Sequence, residues 1–361
     1  MGCTSAKQKV PRPPADDRTY HIGKAFCMRE LHSSPSRDKY RTRLLKWTKM
    51  LQAYSHFDLP INRFRADKPA LFQQRLGKGP PVEYRWSAWM AACDYQSSLN
   101  AFAQLQHADL SRQVEDDISK DLPRTFSDHP YLAGDKGKAA LKRVLKAFAL
   151  QHREIGYCQG LNYIAAFTLL VSGGRDEECF FLLCHIVKSF DLQGFYTSRF
   201  PGLWKMIAQF NSLLEHQNPR LFAHLHQENA YEMTWLGPWF LSLFTTSLPF
   251  HFVIRLWDVL LAQGAEALLK LALRLVELMG GQLGRADMEG MAGIFGKMRV
   301  GVYEVEVIMK DVAKMKLDKG LMAAGLRKYE AELTDSARNS LLPSISLPQG
   351  NEKCPPLSTP D

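Results

Sequence analysis

GYCQGLNYIAAFTLLV, residues 156–171, is the stretch on which the fold turns. From Leu161 to Val171 it holds no charged side chain. That run is too long for an ordinary strand and too uniformly apolar for a surface helix, so it reads as a helix buried on all sides. Such a helix needs covering elements, and the flanking sequence supplies them with helical period. Leu141, Val144, Leu145 and Phe148 form one stripe, and Leu203, Met206, Ile207, Phe210, Leu213 and Leu214 form another. A third, Leu268, Leu271, Leu275 and Leu278, precedes Gly280-Gly281, a pair expected to end that helix because glycine tolerates positive φ. Only Val302 to Val307 alternates as a strand would, and no fixed-period repeat is present. The expected fold is all-α, with no significant sheet.

The chain has 361 residues, 46% of them hydrophobic, enough for one large core or two fused subdomains. Its seven cysteines are odd in number and contain no C-x-x-C pair, which points away from a disulfide framework and a zinc site and towards a reducing, cytosolic setting. His216, His224 and His226 lack an acidic or thiol partner at ligand spacing, so no metal is expected. The span Met233 to Phe250 is nearly charge-free, but Pro238, Pro249, Glu232 and His251 favour a buried helix pair with a proline-marked turn over a membrane span. No apolar leader is seen at the N-terminus. Phosphate-cradling and hydrolase signatures such as G-x-x-x-x-G-K-[ST] and G-x-S-x-G are missing, so the chain is not expected to bind nucleotide by itself.

Three regions are expected: a flexible basic arm over residues 1–37, a folded body over 38–330, and a disordered tail over 331–361. Of a net charge of +9, most lies near the start, where residues 1–50 hold 12 Lys or Arg against 4 Asp or Glu. Met1-Gly2-Cys3 offers a myristoylation site at Gly2 beside a palmitoylation site at Cys3, with Lys7 and Lys9 as an electrostatic second anchor. Ala6 departs from the usual Ser or Thr of that pattern, which leaves lipidation open. An anionic membrane surface is the partner this arm suits. Nucleic acid is not expected, since Tyr20, Phe26 and Tyr40 are the arm's few aromatics.

Three clusters carry the chemistry. Arg85-x-x-x-Trp89 places a guanidinium and an indole on one helical face. Ile118-x-x-Asp121-x-x-Arg124 is followed by Thr125-Phe126, and Pro123, which disfavours helical geometry at Leu122, is expected to push Arg124 into a loop. Tyr157-Cys158-Gln159-Gly160-Leu161-Asn162 sets Gln159 just before the buried helix, where free N–H groups and the macrodipole favour anions. Cys158 has no activating base in view and reads as a small filler. Taken singly, these clusters describe a packed helix, an ion pair and a capping amide.

In that order on a helical chain, R-x-x-x-W, I-x-x-D-x-x-R and Y-x-Q-G resemble the TBC domain of Rab GTPase-activating proteins. The likeness continues through Trp239-Phe240, Leu243-Phe244, Pro249 and Arg255-Leu256-Trp257-Asp258 ahead of Gly264, covering roughly residues 40 to 318. The resemblance implies an elongated, two-part helical TBC-type domain. It implies an arginine finger at Arg124 and a glutamine finger at Gln159, supplied in trans to a Rab-type small GTPase. On this reading Asp121, Tyr157 and Asn162 support the fingers, while Arg85, Trp89, Trp257 and Asp258 hold the body together by stacking and partly buried pairing. The chain is then a GTPase activator in vesicle trafficking, in the cytoplasm and at membrane peripheries, rather than an enzyme in its own right. It would need no cofactor of its own, because the partner carries GTP and magnesium. The alternative is a non-catalytic Rab-binding adaptor, although the presence of both finger residues favours catalysis.

Overall fold

The computed structural model describes residues 37–95 and 99–339, so Gly2 and Cys3 lie outside the described residues. Among the described residues there are helices and turns and no strand. The first ten helices are α1 (Arg37–Gln52), α2 (Pro60–Asp67), α3 (Pro69–Gly77), α4 (Val82–Ala92), α5 (Leu99–His107), α6 (Arg112–Asp121), the single turn α7 (Pro130–Ala133), α8 (Asp135–Gln151), α9 (Leu161–Ser172) and α10 (Asp176–Ser189). Then come α11 (Pro201–Gln217), α12 (Pro219–Gln227), α13 (Glu232–Leu241), α14 (Phe250–Gln263), α15 (Glu266–Leu283), α16 (Met288–Gly296), α17 (Val305–Lys314) and α18 (Lys319–Asn339). Several begin with proline in the first turn, at Pro60, Pro69, Pro130, Pro201 and Pro219, where its missing N–H costs nothing and its fixed φ already suits a helix.

Two parts follow from the packing. Helices α5, α6, α8, α9 and α10 form one, with α8 against both α9 and α10. In the other, α11 carries α12, α13 and α18, and α14 carries α15 and α17. The N-terminal helices α3 and α4 cross to pack on α14. Helix α9 is buried along almost its whole length, as its apolar run requires, and it ends at Gly173 in the left-handed conformation. Each large side chain it buries, such as Phe167 or Ile164, contributes about 1.5–3 kcal/mol before the cost of ordering the chain.

The two parts meet in an aromatic wedge. Phe167 on α9 lies 6.3 Å from Trp89 on α4 and 4.8 Å from Trp257 on α14, and the two indoles stack at 5.7 Å. At the far end, α18 lies against α11 so closely that a Cβ on Gly325 would come within 2.5 Å of the Ala208 carbonyl oxygen.

Several expectations are corrected. Residues 331–339, set in the tail, belong to α18, which runs on to Asn339. Gly280-Gly281 does not end α15, which continues to Leu283. That residue is buried, and the Gly280 carbonyl accepts the Gly284 N–H at 2.9 Å. Leu278 is not part of the core stripe but half-exposed. The expected helix pair is α13 and α14, and Pro249 marks the turn between them as the N-cap of α14, whereas Pro238 sits inside α13. It falls in the last helical turn, and its carbonyl accepts the Ser242 hydroxyl at 2.8 Å. The short alternation at Val302 to Val307 forms no strand, in keeping with the all-α expectation, and α17 starts at Val305. Six of the twelve basic residues credited to the arm belong to α1, where Arg41, Lys46 and Lys49 are exposed. No helix among the described residues is long and apolar enough to cross a membrane.

Candidate functional site

Helix α6 delivers the arginine. Ser111 caps its start by accepting the Val114 N–H, and the helix tightens at its end into a 3₁₀ turn over Leu122–Arg124. The expected loop is therefore a helical turn. Leu122 stays in right-handed helical geometry despite the following proline, because the hydrogen bonds of Asp121, Arg124 and Thr125 outweigh the pre-proline preference.

Asp121 is buried, with 3% of its surface exposed, and works with both oxygens. Its Oδ1 accepts from Arg124 Nε at 2.8 Å and Nη2 at 2.5 Å. Its Oδ2 accepts the Tyr157 hydroxyl. Burial, and then the Asp121 charge, raise the Tyr157 pKa far above that of a free phenol, so this hydroxyl is a permanent donor. A guanidinium has five N–H donors, and Asp121 engages only two of Arg124's. The Arg124 side chain is 39% exposed and has donors left to offer outward.

A second link runs through Thr125, which the sequence reading did not single out. Its hydroxyl donates to the Asp121 carbonyl at 2.6 Å and accepts from Asn162 Nδ2 at 2.7 Å. Asn162 Oδ1 in turn accepts the Gly160 N–H at 2.9 Å. Gly160 holds φ +113, and a Cβ there would meet the Leu241 carbonyl oxygen at 2.9 Å. Only glycine suits both demands, and it sets the exit of the loop that carries half-buried Gln159. The arginine turn and the glutamine loop are thus tied twice, by Asp121–Tyr157 and by Thr125–Asn162. The only clue to Thr125 in the sequence is that a small hydroxyl directly follows Arg124.

Arg85, Trp89, Trp257 and Asp258 lie in a separate, buried cluster. Asp258 Oδ1 accepts from Arg85 Nε at 3.2 Å and from Trp89 Nε1 at 2.8 Å, and its Oδ2 accepts from Arg255 Nη1 at 2.7 Å. The pairing is fully buried and not partly so, since Asp258 has no exposed surface. Arg255 also donates to Glu306 at 2.9 Å. Burial alone would lower the Arg255 pKa, but Asp258 and Glu306 override it and hold the guanidinium charged. Cys158 is buried, as a filler should be. His224 bonds the Ala286 carbonyl at 2.9 Å, and no group of metal-binding side chains occurs among the described residues.

The fold and the doubly tied site define an all-helical domain that presents one outward guanidinium beside a glutamine loop at a helix start. The family described as Rab-GTPase-TBC domain matches residues 82–283, and the chain belongs to that family. Mouse Carabin is 31% identical over 325 residues, spanning 87% of this chain and 71% of Carabin. The Rab GTPase-activating protein eat-17 of Caenorhabditis elegans is 27% identical over 280 residues, and the chain spans 30% of its length. In fold, the chain is similar to the solved Chlamydomonas flagellar RabGAP TBC domain, with a TM-score of 0.62 and 24% identity over 78% of this chain and 97% of that one.

Proposed function

We propose that the protein accelerates GTP hydrolysis by a Rab-type small GTPase, with Arg124 as arginine finger and Gln159 as glutamine finger in trans. The observation that carries this reading is the double tie between their two segments, through Asp121–Tyr157 and Thr125–Asn162. It joins the segment that carries Arg124 to the residues on either side of Gln159.

In the transition state of phosphoryl transfer, charge spreads over the γ-phosphoryl oxygens and the leaving bridge oxygen. A planar, permanently charged guanidinium on a short, tethered turn stabilises that charge more than it stabilises the ground state. An inserted arginine of this kind accelerates hydrolysis about 10³- to 10⁵-fold, or roughly 4–7 kcal/mol of barrier. Gln159 can donate and accept hydrogen bonds at once, so it can orient the attacking water without adding negative charge beside the phosphate. Nucleotide and magnesium come with the partner.

Phosphate release from a panel of GTP-loaded Rab-type GTPases tests the proposal. At least one should hydrolyse faster with wild type and at its intrinsic rate with Arg124→Ala. Binding to a GTPase with no rate change would instead mark an adaptor.

A further inference from the structure

The segment Met298–Tyr303, between α16 and α17, is a closed strap. The Tyr303 hydroxyl donates to the Met298 carbonyl at 3.0 Å, and the Gly301 N–H donates to the same carbonyl at 3.2 Å. The Tyr303 ring covers Gly301 so closely that a Cβ there would fall 2.7 Å from the hydroxyl oxygen, and the ring packs edge-on to Phe252 at 5.2 Å. The strap is therefore rigid, yet Val300 is 80% exposed and Val302 is 100% exposed. Isolated exposed valines are ordinary surface features. Two of them on a locked loop, with an apolar hollow alongside, are a built feature. The hollow is open to solvent, holds about 450 Å³, and is lined by Met279, Ile294, Met298, Tyr303 and Gly301, the residue between the valines, with Gln282 and Lys297 as its polar members.

The strap also reaches the finger turn. The Arg299 guanidinium lies over the Phe126 ring, 5.8 Å from its centroid, and Phe126 packs edge-on to Tyr163 at 5.2 Å. Phe126 follows Arg124-Thr125 and holds φ +44, a strained conformation kept by these contacts. Burial raises the Tyr163 pKa, and both Arg124 and Arg299 oppose it, which places Tyr163 within reach of both charges. The Arg299–Phe126 contact sets the strap beside the turn that carries Arg124.

We infer that the strap is a docking edge for the GTPase that receives Arg124, with Val300, Val302 and the adjoining hollow taking an apolar patch of that GTPase. This rests on the proposed activating function and adds to it a recognition surface outside the two finger loops. Apolar contact made equally in ground and transition states lowers KM and leaves kcat alone, so the edge has a kinetic signature of its own.

The test is phosphate release from the GTP-loaded panel, with kcat and KM resolved for wild type, V300S/V302S and V300I/V302I. For a responsive GTPase, V300S/V302S should raise KM about tenfold with kcat held within about twofold, and V300I/V302I should keep the wild-type KM. Thermal melting should be the same for all three chains, because neither valine is in the core. An unchanged KM in V300S/V302S overturns the docking edge and leaves the finger mechanism standing. A fall in kcat at constant KM overturns it too, and assigns the strap to shaping the Phe126 turn. If wild type accelerates no GTPase, the activating function fails and the docking edge with it.

Discussion

Asp121→Asn removes one charge and almost no volume from the centre of the site. The carboxylate accepts two hydrogen bonds from Arg124 and one from Tyr157. An asparagine keeps one accepting oxygen and turns the other into a donor, so one of these donors faces an NH₂ group. Leaving a buried donor unsatisfied costs about 1–3 kcal/mol, and replacing a charge-assisted bond by a neutral one about another 1 kcal/mol. The Arg124 share is reduced because that side chain is 39% exposed. Unfolding in urea should therefore show a loss of about 2–3 kcal/mol. The rate should fall by a comparable free energy, because an arginine released from its tether is misplaced by an ångström or more, which costs about a hundredfold in kcat. Single-turnover phosphate release at saturating activator would measure it. If Asp121→Asn loses stability but keeps wild-type kcat, Asp121 does not position Arg124 for hydrolysis.

Asp258→Asn strips the charge from a carboxylate shared by Arg85, Trp89 and Arg255, and urea titration should show about 3 kcal/mol lost, because two buried guanidinium groups lose a charged partner while Arg255 keeps Glu306. Gly160→Ala combines φ +113 with a close approach to the Leu241 carbonyl, so activation should fall steeply while the thermal midpoint drops by the few degrees that about 1–3 kcal/mol of local strain produces. The Glu306 carboxyl is raised by burial but held below its ordinary value of 4.5 by Arg255 and Arg43. Its stabilisation is therefore complete above about pH 4.5 and is lost as pH falls. Urea melts of wild type and Glu306→Gln should differ by a constant small amount above about pH 4.5, small because the side chain is 48% exposed, and converge as pH falls below it.

Much of this organisation was legible in the sequence. The helical stripes around α8 and α11 are local patterns of period 3.6, and the uniform apolarity of α9 marks the one helix that other helices must enclose. What misled was punctuation. Glycine at 280 and 281 lowers helix propensity by about 1 kcal/mol per residue, yet the buried anchor at Leu283 carries the helix past them. Pro123 biases its neighbour away from helix, yet the Asp121 and Thr125 hydrogen bonds prevail. Asp121, Tyr157 and Asn162 were expected to support the fingers, and they are brought together with Thr125. The pairing of Arg255 with Asp258 has i,i+3 spacing and could have been read, whereas Glu306 and Arg299 come from distant elements with no local signal. Long-range pairing of that kind depends on the fold, which a pattern scan does not contain.

The central claim is that Gln159 supplies the water-orienting amide from outside the GTPase. It is tested most directly with a responsive Rab-type GTPase whose own water-orienting glutamine is replaced by alanine, followed by single-turnover hydrolysis with wild type and with Gln159→Ala. The account predicts that wild type still accelerates the altered GTPase and that Gln159→Ala does not. Acceleration that disappears with the GTPase's own glutamine, and is indifferent to Gln159, would contradict it.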